Sequence, residues 1–201
     1  MQGKCHMTRQ AGIQRKTKET DIELTLNLDG SGDSSISTSI PFFDHMLTAF
    51  SVHGLFDLDV KAVGDIDVDM HHTVEDVGIV LGQAFSKALG DKKGISRFGE
   101  GAVPMDDALC RVNVDLSNRP YLVYHMPESI RIFTEFNVWL AKEFFQAFSV
   151  HAATNLHINA LYGENDHHVI ESVFKAFGRA MRDATRINPE IAGVLSSKGA
   201  L

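Results

Sequence analysis

Cysteine is nearly absent from this 201-residue chain, which has only Cys5 and Cys110. Two cysteines cannot supply a disulfide framework, so stability must come from an apolar core, and a reducing cytoplasm is the expected setting. No apolar run approaches the roughly 18 residues that a membrane-spanning helix needs. Residues 1–12 are too polar for a secretory signal. Positive charge is also scarce. Lys and Arg number 19 against 26 Asp and Glu, a net charge of −7, which argues against non-specific nucleic-acid binding through a broad basic surface. No low-complexity stretch or flexible linker interrupts the chain. What remains is an ordinary globular composition, 44% hydrophobic and 22% charged, long enough for one domain or two small halves packed as a unit. Histidine stands out: there are ten, and five of them gather in three short motifs.

The chain repeats itself. Phe50-Ser51-Val52-His53 returns as Phe148-Ser149-Val150-His151, and Leu58-Asp59-Val60-Lys61-Ala62 as Leu156-His157-Ile158-Asn159-Ala160. His71-His72-Thr73-Val74-Glu75 returns as His167-His168-Val169-Ile170-Glu171, and Gly82 and Ala84 match Gly178 and Ala180. The offset falls from 98 to 96 along the way, so one loop differs by two residues. Each copy shows the same succession. Alternating apolar positions (Ile22, Leu24, Leu26, Leu28; Cys110, Val112, Val114, Leu116) predict an opening strand pair. A helix follows at 44–53 and at 137–151, with Asp44 as the expected N-cap of the first. Next come a strand, at 58–63 and 156–162, and a second helix with apolar residues at helical spacing, Val74 to Ala88 and Ile170 to Ala184. The boundaries this pattern predicts are a tail at 1–12, a first half at 13–93, a glycine- and proline-bearing connecting loop at 94–107, a second half at 108–190 and a tail at 191–201. Residues 196–199 look exposed and polar.

The paired His-His-x-x-Glu motif carries the chemistry. On a helix His71 and Glu75 lie over one another and can chelate one ion. His72 lies about 100° around the axis and is placed for a different ion. His167, His168 and Glu171 offer the same set. Two such helix starts facing each other would give crossed sites, His71 and Glu75 with His168, and His167 and Glu171 with His72. His45 opens the first helix and Glu143 takes the matching place in the second half, so one would complete each site. Imidazole and carboxylate donors without thiolate suit manganese, iron, nickel or zinc. His53 and His151 repeat without a ligand partner and read as structural caps. His125 and His157 have no such pairing, and His6 lies in the tail. Arg97, Arg119, Lys175 and Lys198, with Ser197, stand beside turns or near the metal motif and could assemble a local phosphate pocket in this acidic chain.

These motifs resemble those of the imidazoleglycerol-phosphate dehydratase family. The matching stretches are RKTKET at 15–20, FDHML at 43–47, DMHHTVEDVG at 69–78, RFG at 97–99, PMD at 104–106, DLSNRP at 115–120, NDHH at 165–168 and SKG at 197–199. The resemblance runs from about Thr8 to the C-terminus. It implies an α+β fold of internally duplicated β-β-α-β-α units, with helices packed between two sheets as in the ribosomal protein S5 domain 2-like architecture. It implies loss of water from D-erythro-imidazole glycerol phosphate to give imidazole acetol phosphate, a step of histidine biosynthesis. Two Mn2+ ions per active site are implied, other divalent metals being possible. So is a homo-oligomer, a 24-subunit shell built from trimers with active sites shared between subunits. Neither nucleic acid nor membrane is an expected partner.

The chemistry explains the metals. The departing hydroxyl is next to the ring, and the proton lost is on the following carbon, which no carbonyl acidifies. A Lewis acid at each ring nitrogen can hold the imidazole as imidazolate. That electron-rich ring expels hydroxide, and the diazafulvene-type intermediate acidifies the neighbouring proton for a carboxylate. By resemblance Glu19 is the first candidate for proton transfer and Glu171 the second, with Asp106 orienting the surroundings of Glu19. Implied substrate contacts are Glu19, His45, His53, Arg97, Arg119, Lys175, Ser197, Lys198 and Gly199, so the C-terminal tail contributes to the active site. Implied metal ligands are His45, His71, His72, Glu75, Glu143, His167, His168 and Glu171. Two positions depart from the family pattern. Glu143 stands where many members place histidine, and Asn118 where many have glycine; asparagine tolerates a left-handed backbone. A dinuclear hydrolase is the rival enzyme reading and would hold its ions about 3.5–4 Å apart. A ferritin-like store is the non-enzyme rival and would carry Glu-x-x-His on long helices; here histidine comes first and the helices are short.

Overall fold

Among the described residues, twelve elements build two units of like topology. The first contains β1 (Gln10–Lys16), β2 (Thr20–Asn27), β3 (Ser34–Ser37), α1 (Pro41–Gly54), β4 (Asp57–Gly64) and α2 (Met70–Leu89). The second contains β5 (Phe98–Met105), β6 (Ala108–Asp115), β7 (Tyr121–His125), α3 (Val138–His151), β8 (Asn155–Tyr162) and α4 (Asp166–Thr185). The computed structural model describes residues 9–133 and 135–201, so Cys5 and His6 lie outside the described residues. Each unit forms one four-stranded sheet, ordered β1-β2-β4-β3 and β5-β6-β8-β7. The expected duplicated β-β-α-β-α unit is present in both, with one short extra strand, β3 or β7, added parallel to the last strand at the sheet edge.

Alternation sets the sheets' inner faces. Ile22, Leu24 and Leu26 of β2 point inward, as do Cys110, Val112 and Val114 of β6. Burial pushes the Cys110 thiol up to about 11, which makes it an inert core residue. The four helices fill the space between the sheets and pair across the units, α1 with α4 and α2 with α3. The repeated glycines make this approach possible. A Cβ on Gly178 would fall 2.5 Å from the Phe50 carbonyl oxygen, and one on Gly82 2.9 Å from that of Phe148. Phenylalanines close the layer: Phe50 stacks on Phe177 at 4.8 Å, and Phe148 meets Phe177 edge-on at 4.9 Å. Burying each such ring contributes about 1.5–3 kcal/mol. No described helix is long and apolar enough to cross a membrane.

Three boundaries differ from the sequence expectation. Asp44 is not the N-cap of α1. The helix starts earlier, after Ile40, because Pro41 is preset for the first helical position. Asp44 instead accepts hydrogen bonds from the Thr38 N–H and hydroxyl, tying α1 to the segment leaving β3. The stretch 94–107, expected as a connecting loop, contains the whole of β5. Its glycines are there for close contact: a Cβ on Gly99 or Gly101 would sit 1.9 or 2.1 Å from the carbonyl oxygens of Ala180 or Ala176 on α4. Pro104 is tolerated because β5 is an edge strand. The expected tail at 1–12 ends sooner, since β1 already begins at Gln10.

Candidate active site

Both histidine pairs sit in the first turn of a capped helix. Asp69 accepts from the His71 N–H to start α2, and Asn165 accepts from the His167 N–H to start α4. Among the described residues, one group of three potential ligands converges: His45 from α1 with His167 and Glu171 from α4, ligand atoms all within 4.8 Å of one another. His167 Nε2 lies 3.2 Å and His45 Nε2 3.4 Å from Glu171 Oε2. Lys175 holds the other oxygen, Oε1, at 2.6 Å, which leaves Oε2 to face the imidazoles. Phe42 packs edge-on against His167 at 5.0 Å and fixes its plane. Burial pushes the Glu171 carboxyl up, but Lys175, His45 and His167 together hold it below its ordinary value. Two imidazole nitrogens and an ionised carboxylate fit a borderline divalent cation.

The corresponding end of the first unit is looser. His71 Nε2 is 3.7 Å from Glu75 Oε2. The second histidine of each pair is oriented from behind by an aspartate. His72 Nδ1 lies 3.1 Å from both oxygens of Asp65, and His168 Nδ1 bonds Asp107. An Nδ1–H directed at a carboxylate leaves Nε2 as the nitrogen able to ligate; in His168 it faces Asp106 at 3.4 Å. The Asp65 contact raises the His72 pKa. Asp107 is held well below the carboxylate range, first by the Glu164 N–H, then by His168 and the Asn165 N–H. Glu19 is exposed in the β1–β2 turn, where its carbonyl accepts from the Asp65 N–H at 3.1 Å. Asp106 occupies the β5–β6 turn, 3.4 Å from His168 Nε2, and so stands at the second unit's pair while Glu19 stands at the first unit's. Glu143 is half-buried on α3 and joins no such group among the described residues. By the repeat it stands to α2 as His45 stands to α4. The described contacts do not bring the two helix starts together within one chain.

The cationic residues gather at the far end of the helices. Arg97 donates Nε and Nη2 to Asp115 at 2.7 and 3.1 Å, and Nη1 to the Leu195 carbonyl at 2.6 Å. Arg119 lies 3.7 Å from the same aspartate with most of its side chain in solvent. Ser197 and Lys198 line a cleft with these two arginines, because the C-terminal segment folds back through the Gly94 N–H to Gly193 carbonyl bond. Gly199 closes a turn onto Ser196 at a φ of 73°. Lys175 is not in this cleft but at the Glu171 group. His53 faces α4 as well: burial, then Lys175 and Arg179, push its pKa down. The Arg97 N–H bonds the Ala184 carbonyl at the end of α4, 17 positions beyond His167. At 1.5 Å per residue the ligand group and the cationic cleft are therefore roughly 25 Å apart in one chain. Sequence reasoning missed Asp65 and Asp107 as orienting groups. Asp65 had a faint signal, an acidic residue seven positions before His72, whereas Asp107 lies 61 positions before His168 and had none.

Fold and site define a duplicated α+β protein with a histidine–carboxylate group able to hold a divalent cation. The family profile "Imidazoleglycerol-phosphate dehydratase" matches residues 38–181. The imidazoleglycerol-phosphate dehydratase of Geobacter metallireducens is 57% identical over 195 residues, covering 97% of this chain and all of its own. That of Acetivibrio thermocellus is 57% identical with the same coverage. The crystal structure of the Pyrococcus furiosus enzyme, solved with the compound (S)-C348, superposes with a TM-score of 0.82 at 39% identity, covering 94% of this chain and 100% of that one. The Staphylococcus aureus structure gives 0.79 at 37% identity, covering 89% and 99%. The chain belongs to the imidazoleglycerol-phosphate dehydratase family and is accordingly a hydro-lyase of histidine biosynthesis.

Proposed function

We propose that the chain converts D-erythro-imidazole glycerol phosphate to imidazole acetol phosphate, with two divalent cations, manganese first among them, at each active site. The observation that carries this reading is the convergence of His45 and His167 on the one Glu171 oxygen that Lys175 leaves free. His45, His167 and Glu171 hold one cation, and His71, Glu75 and Glu143 the other. His72 and His168, each oriented by an aspartate, cross over to the site of the opposite unit from a neighbouring copy. Cations held there would supply Lewis acidity toward the imidazole ring, which would favour loss of the hydroxyl beside it by way of the diazafulvene-type species that the resemblance implies. Glu19 is the first choice for removing the neighbouring proton and Glu171 the second. Arg97, Arg119, Ser197 and Lys198 bind the phosphate, with Lys175, His53 and Gly199 contributing.

The distance between the ligand group and the cationic cleft supports sites shared between chains. An imidazole glycerol phosphate cannot bridge roughly 25 Å, so one copy supplies the metal ligands and another the phosphate ligands. That supports a homo-oligomer; its form, a trimer-based 24-subunit shell in the cytoplasm, is what the family resemblance implies. The test is a titration of metal-stripped protein with Mn2+, read by the loss of free-ion EPR signal alongside product formation. Two ions per chain are expected for the native protein and fewer for His167→Ala. Full turnover in excess chelator would overturn the reading.

A further inference from the structure

Lys92 is a buried cation that the proposed reaction does not use. It follows α2 and is 4% exposed, with a left-handed backbone at φ 57°. Its ammonium points under the turn that joins β6 to Arg119. Nζ donates to Asn118 Oδ1 at 2.6 Å, and the Leu116 carbonyl lies at 3.5 Å. Both acceptors are neutral. Burial pushes the Lys92 pKa down, Asp115 pulls it up, and Arg97 pushes it down again. A buried ammonium without a carboxylate at hydrogen-bond distance detracts from stability, so packing alone does not account for it.

The turn it touches is the one that presents Arg119. Asn118 is left-handed at φ 58°, and the Leu116 N–H bonds the Arg97 carbonyl at 3.1 Å. Ser117 is fully buried, and Arg119 makes only long contacts of its own, Nη1 to the Ser117 carbonyl at 3.4 Å and Nη2 to Asp115 at 3.7 Å. Among the described residues, the short side-chain hydrogen bond to residue 118 comes from the ammonium beneath the turn. We propose that Lys92 is a positioning residue for the phosphate subsite: its ammonium fixes the Asn118 side chain and so aims Arg119 across the cleft from Arg97. The inference rests on the phosphate role given to Arg119 above. Lys92 itself stays behind the turn and touches no substrate.

The test compares steady-state kinetics of the full-length, metal-loaded Lys92→Met, Asn118→Gly and Arg119→Ala variants, with inorganic phosphate as a competitive inhibitor. Asn118→Gly keeps the left-handed turn free of strain while removing the acceptor, and it remains informative if Lys92→Met folds poorly. Lys92→Met and Asn118→Gly are each expected to raise the KM for substrate and the phosphate inhibition constant about tenfold, the size of one charge-assisted hydrogen bond. Their kcat is expected to stay within about twofold, and the double variant to add nothing further. A fall in thermal stability with unchanged KM in both single variants overturns the positioning role. If Arg119→Ala leaves KM unchanged, the phosphate assignment fails first and the inference falls with it.

Discussion

Asp65 meets His72 Nδ1 with both carboxylate oxygens at 3.1 Å, and within the second unit Asp107 Oδ1 bonds His168 Nδ1. The second imidazole of each pair is thus oriented by an aspartate at its Nδ1. Replacing Asp65 by alanine frees the ring to turn. Affinity for Mn2+ is expected to fall about 10–100-fold, as when an orienting carboxylate is lost from a metal-bound histidine. A competition titration against a chelating dye measures this. Unaltered affinity would show that Asp65 only caps the loop.

Glu171 sets an acid limit on the metal-free protein. Its carboxyl is held below its ordinary value of 4.5, so the folded form binds the proton less readily than the unfolded one. That stabilisation is complete above the ordinary value and is lost as the pH falls through the lowered one. In Lys175→Met the main opposing influence on burial is gone. Its melting temperature, followed in chelator from pH 6 downward, is expected to start falling at a higher pH than that of the native chain. Parallel curves would reject the coupling.

Gly178 lets α1, the helix that carries His45, pack closely against α4. An added Cβ would strike the Phe50 carbonyl oxygen at 2.5 Å and push α1 away from α4. Gly178→Ala is expected to cost about 3 kcal/mol, roughly 6–12 °C in melting temperature for a chain of this size. It is also expected to weaken metal binding at His45, His167 and Glu171. Calorimetry and the same Mn2+ titration report the two effects separately.

Sharing of active sites between chains can be tested by mixing. His167→Ala removes a proposed metal ligand, and Arg97→Ala with Arg119→Ala removes the proposed phosphate grip. Each protein alone is expected to be nearly inactive. Co-assembled, they are expected to recover a fraction of native turnover, because some sites then draw both contributions from intact surfaces. No recovery in demonstrably mixed assemblies would place the whole site in one chain.

The repeat and the His-His-x-x-Glu motif were legible because they are local. Each is a few residues long and keeps its letters in both copies. The strand β5 was misread because Gly99 and Gly101 look like turn formers, whereas they make room for the carbonyls of α4. The start of α1 was misplaced because Asp44 is a good capping residue, yet Pro41 begins the helix first. The strands β3 and β7 gave little signal, being four and five residues long and sparsely buried. The fit of His45 to α4 and the Lys92–Asn118 contact depend on how helices and turns are brought together. No periodicity encodes that.

The cross-pairing of helices also bears on where such a chain came from. α1 leans on α4 and α2 on α3, so a break between Leu89 and Phe98 would strip the phenylalanine-lined flank from both fragments. A half-length ancestor built this way could hide that flank only by clasping a twin. In the single chain each flank is covered by the other unit's helix, so a change at the α1–α4 seam, where His45 sits, is felt in both units at once.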